Sequence, residues 1–102
     1  MMVSAWRTGS TTLAGGGYGL RINHHDRDRF FRQQWESVVI EANSSVFEVH
    51  LSDSFWVDCS ELRSRRIGKW LLDHGLAPWV KGKPPRLSLE PAGARRFRLE
   101  RY

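Results

Sequence analysis

The chain is 102 residues long, 40% hydrophobic, and carries sixteen Lys/Arg against eleven Asp/Glu for a net charge of +5. That length and apolar content suit one domain with a modest core, and a single cysteine excludes an internal disulfide or a cysteine-based zinc site and fits a reducing compartment. No run of about eighteen apolar residues is present to span a bilayer, and the first thirteen residues carry no signal-peptide core, so the expected location is cytoplasmic, with no membrane partner.

Residues 1–17 are rich in Ser, Thr and Gly and end in Gly15-Gly16-Gly17, a composition that predicts a flexible N-terminal arm ahead of a single compact α+β domain over residues 18–102. Trp6 in such an arm either docks on a partner subunit or belongs to a leader. The glycine run lacks the downstream Lys and hydroxyl of a phosphate loop. Tyr18 to Ile22 reads as a first strand with Tyr18, Leu20 and Ile22 inward. After His24-His25, Asp26 caps a short helix at about 27–34. Residues 37–42 form a β-branched strand, residues 43–45 a turn, and residues 46–51 a partner strand with Phe47, Val49 and Leu51 inward. A further short strand is expected at 55–57.

A longer helix is expected at about 59–74. Asp58 and Glu61 form a capping-box-like pair at its start, Gly75 and Leu76 provide a Schellman stop, and Pro78 ends it. At about 100° per residue, Cys59, Ile67, Trp70, Leu71 and His74 share its apolar sector, and Glu61, Arg65 and Lys69 lie opposite. Arg63 projects into the apolar sector. It either pairs with a carboxylate near the helix start or points into a groove. Residues 81–85 make a basic Lys-Gly-Lys-Pro-Pro turn, and residues 86–90 and 97–102 form a hairpin with Leu87, Leu89, Phe97 and Leu99 inward.

The order of elements predicts a small antiparallel, partly open barrel-like sheet of about five to six short strands with two helices. In that order alone the chain resembles the pseudobarrel DNA-binding domains, which implies a basic loop or strand face meeting a DNA groove. The likeness is architectural and carries over no functional residue.

Reactive constellations are absent. Cys59 among apolar and acidic neighbours reads as packing. The four histidines lack metal-ligand spacing, the carboxylates sit among arginines or at caps, and no nucleophile elbow, phosphate loop or dinucleotide fingerprint occurs. No catalytic residue, metal or cofactor is therefore assigned. Charge is the remaining signal, because residues 1–62 hold five Lys/Arg and eight Asp/Glu whereas residues 63–102 hold eleven and three. The expected function is a small non-catalytic module binding DNA or RNA through Arg65, Arg66, Lys69, Lys81, Lys83, Arg86, Arg95, Arg96 and Arg98, with Trp79 as a stacking ring. The alternative is a protein-interaction or homo-oligomeric module, suggested by twelve aromatic residues and the Trp6 arm.

Overall fold

Strict alternation of apolar and polar residues builds most of the sheet in the computed structural model, which describes residues 1–102. In β1 (Met2–Arg7), Val3 and Ala5 are buried while Ser4 and Trp6 face out. The chain continues through β2 (Tyr18–Arg21), α1 (His24–Phe30), β3 (Ser37–Ala42), β4 (Ser45–His50), a 3₁₀ turn (Asp53–Trp56), β5 (Glu61–Arg63), α2 (Arg65–Asp73), β6 (Arg86–Gly93) and β7 (Arg96–Arg101). These seven strands form one sheet in the order β4-β3-β7-β6-β1-β2-β5. Its edges, β4 and β5, curl into contact, which gives the barrel-like shape.

Twenty-two buried apolar residues fill the interior as one cluster. Phe31 stacks on Phe97 with ring centroids 4.7 Å apart and meets Phe55 at 5.2 Å, which ties α1, β7 and the 3₁₀ turn together. Each fully buried Leu, Ile or Phe contributes about 1.5–3 kcal/mol relative to exposure, so this cluster is the main source of stability. Phe47, Val49 and Leu51, and likewise Leu87, Leu89, Phe97 and Leu99, face inward as alternation predicts.

The small barrel-like sheet with two helices matches expectation in outline, but its membership differs. Residues 2–7, expected within a flexible arm, form β1, an interior strand bonded to both β2 and β6. The following loop is seated on α2, and here the glycines have a role. A Cβ on Gly15 would lie 2.3 Å from the Arg65 carbonyl oxygen, and one on Gly68 would lie 2.0 Å from the Gly15 carbonyl oxygen, so only glycine permits this backbone-on-helix contact. The sheet is also not wholly antiparallel. The C-terminal hairpin inserts between β3 and β1, and β7 runs parallel to β3.

The two helices start elsewhere than predicted. Asn23, not Asp26, caps α1, its Oδ1 accepting from the Asp26 amide at 2.8 Å, which moves the start upstream to His24. The helix stops at Phe30 because Phe31 turns extended to reach Phe97. The helix expected at about 59–74 is shorter, since Ser64 caps it and Glu61–Arg63 instead form β5 along β2. Tertiary pairing wins there: Leu62 becomes fully buried, and Ser60 Oγ donates to the Ile22 carbonyl. The stop is as anticipated, with Gly75 at φ +69° and the Leu76 amide donating to the Leu71 carbonyl at 2.9 Å. Residues 55–57 do not form a strand, because the 3₁₀ turn drives Phe55 into the core.

Candidate nucleic-acid interface

On the outer face of the sheet, pairing register sets the side chains out in rows. Arg63, Gly19 and Trp6 occupy one row across β5, β2 and β1. Glu61, Arg21, Ser4 and Arg86 occupy the next, across β5, β2, β1 and β6. Gly19 has no side chain, so the Arg63 guanidinium reaches over it and lies 4.6 Å from the Trp6 ring centroid. Glu61 holds two neighbours: Arg63 donates to Oε1 at 3.0 Å and Arg21 donates from Nε to Oε2 at 3.3 Å. Arg21 commits only that nitrogen, and its side chain is 59% exposed.

Beyond this row the sheet face opens into a cleft of about 400 Å³ lined by Trp6, Arg7, Arg21, Trp79 and the backbone of Gly9 and Gly82, and no carboxylate lines it. Trp79 is half-buried, packs 5.8 Å from Tyr18 and carries Arg7 at 5.9 Å from its ring. Lys81 and Lys83 flank Gly82 at the rim and are exposed. Arg21 also lines a second opening of about 740 Å³, shared with Ser4, His24, Asp58, Cys59 and Arg86. Acidic groups gather at that end.

Of the residues singled out from sequence, Trp79 lines the first cleft, Lys81 and Lys83 are its neighbours on the loop through Gly82 without lining it, and Arg86 and Arg63 lie on the adjoining face. The others are dispersed. Arg65, Arg66 and Lys69 occupy the solvent face of α2, with Arg66 5.0 Å over the Phe47 ring and Lys69 bonded to Asp73 at 2.7 Å. Arg95, in the β6–β7 turn, donates to the Ser37 carbonyl at 3.1 Å. Arg96 donates to Glu41 at 2.7 Å, and Arg98 lies 3.7 Å from the same carboxylate. Arg63 is on β5 rather than in a helix's apolar sector, and it has both a carboxylate partner and a place on an open face.

Arg7 and Arg21 are absent from the residues assigned from sequence, and Trp6, singled out there as part of a flexible arm, instead stands on β1. The signal was present but short: Val3 and Ala5 alternate with Ser4 and Trp6, a period of two hidden by the flexible composition that follows.

Cys59 is half-buried in a loop, away from the α2 apolar face where helical projection placed it. Desolvation pushes its thiol above the ordinary range, and Asp58 adds to this through its charge and a hydrogen bond. A thiol raised in this way is a poor nucleophile at neutral pH. No group of three or more His, Cys, Asp or Glu side chains converges to hold a metal ion, and no helix is long and apolar enough to cross a membrane. No protein-family model, curated protein or solved structure matches the chain.

Proposed function

We propose that this chain is a non-catalytic nucleic-acid-binding module whose contact surface is centred on the cleft between β1 and the 79–85 loop. The observation that carries the reading is the composition of that cleft: two tryptophans, two arginines and no carboxylate, beside a loop that exposes Lys81 and Lys83. Arginines arranged around a flat ring suit a polyanion that also presents aromatic groups, because phosphates take the guanidinium donors while bases take the indole faces. The openings are broad, and the largest has three hydrophobic residues among the eleven that line it, a setting suited to a solvated polymer rather than to an enclosed small substrate.

Binding through such contacts releases counterions, so affinity for a generic oligonucleotide should fall steeply as salt rises. Fluorescence anisotropy with a labelled 20-nucleotide probe, titrated from about 50 to 200 mM salt, measures this; a flat response, or no binding at the lowest salt, removes the proposal. Self-association is the second reading. It loses the free Trp6 arm, since Trp6 belongs to an interior strand, but β4 is a sheet edge on which Val46 is 54% exposed. A sedimentation profile that stays monomeric across a concentration series counts against it.

A further inference from the structure

We infer that the cleft takes a single strand in preference to a duplex, with an unpaired nucleobase lodged against Trp6 and the flanking phosphates held by Arg7, Arg21 and Arg86. This rests on the nucleic-acid reading above and specifies its ligand.

The first ground is the position of the rings. Trp6 and Trp79 share one shallow, open surface between β1 and the 79–85 loop. A duplex keeps its base faces stacked inside and presents only phosphates and base edges, so flat rings on that surface contribute little to holding it. A single strand can turn a base out and lay it on such a ring. The second ground is the state of Trp6. Its neighbour across the β1–β2 pair is Gly19, so no side chain stands between the indole and Arg63 in the same row, and that planar guanidinium lies over the ring at 4.6 Å. A group that stacks a guanidinium can stack a base, and the Arg63 plane is a further surface for that base.

The third ground is where charge is free. Arg7 and Arg86 make no ion pair, and Arg21 gives one nitrogen to Glu61. Arg21 and Arg86 flank Ser4 in one cross-strand row, two strand spacings apart, which is roughly 10 Å at about 4.8 Å per spacing. Of the carboxylates near that line, Glu61 ends the same row and is committed to Arg21 and Arg63, Asp58 lies on the β5 side of the opening, and Glu90 and Glu100 lie further along β6 and β7. The favoured path therefore runs from the Lys81–Lys83 rim, through the cleft, past Arg21 to Arg86.

The test compares three labelled probes on the intact chain at about 50 mM salt: a 20-mer oligothymidylate, a duplex of the same length, and a 20-mer of abasic sugar-phosphate with the same charge. The expected result is that oligothymidylate binds at least about 5-fold more tightly than either of the others. Trp6→Ala, or Trp6→Leu if the alanine variant melts early, should erase that advantage while leaving abasic binding within about 2-fold. Equal binding of the abasic probe, or tighter binding of the duplex, overturns the inference and leaves the nucleic-acid reading in place. No binding of any probe overturns both.

Discussion

Two sets of arginines on one sheet have opposite surroundings. On β7, Arg96 and Arg98 both converge on Glu41, an in-sheet neighbour supplied by the parallel pairing with β3. Around β1, Arg7 lies on an indole and Arg86 lies in an open groove, neither with a carboxylate partner. The two sets contribute the same formal charge, but the first shares one carboxylate and the second has none. Counting basic residues along the chain overstates the first set and misses half of the second. What matters for an anion is how many guanidinium donors remain free, and strand register sets that number.

Charge reversal gives the largest expected contrast. Arg7→Glu with Arg86→Glu should lower oligonucleotide affinity roughly 100-fold at low salt and reduce the salt slope by about 2, whereas Arg96→Glu with Arg98→Glu should change affinity less than about 5-fold. If the β7 pair proves the more damaging, the comparison is reversed. Gly68→Ala comes next. The new methyl would press on the Gly15 carbonyl and dislodge the loop that carries Thr8 and Gly9 to the cleft, at a cost of roughly 1–3 kcal/mol. Chemical denaturation should register that loss together with weakened binding, and an unaffected midpoint would mean that the loop moves aside freely.

The smallest effect concerns the carboxylate at the far end of the same face. The Met1 amine bonds to Glu90, an exposed side chain, and holds its carboxyl below the ordinary range. A depressed folded value makes this contribution complete above the unfolded carboxyl value and lost as pH falls through the folded one. Glu90→Gln should therefore lower stability slightly at neutral pH, leave the acid end unchanged and so flatten the acid limb between them; an equally steep acid limb in the variant would remove this contact as a cause. Exposure and salt screening keep the effect small.

Much of the architecture was legible from local pattern. The β3–β4 and β6–β7 hairpins alternate cleanly, and the Gly75–Leu76 stop is a matter of backbone conformation that neighbouring residues specify. The start of α2 was not legible in the same way. Asp58 and Ser64 are both competent caps, and local chemistry cannot rank them when residues between them have an alternative partner in β2. The glycine run misled in the opposite direction. Its composition is that of a flexible linker, and its actual use, a close approach to α2 at Gly68, depends on a residue some fifty positions away.

The sequence by itself determined a one-domain α+β chain, the inward faces of the two hairpins, the end of the second helix and a surplus of positive charge. Only the tertiary structure decided that β1 is an interior strand, that β7 runs beside β3, and hence which arginines meet a carboxylate and which meet tryptophan. The physical reason is range. Alternation and capping act over a few residues, whereas the Trp6–Gly19–Arg63 row and the Arg96–Glu41 pair join residues 13 to 57 positions apart, and their existence depends on strand order and register, which no local pattern encodes.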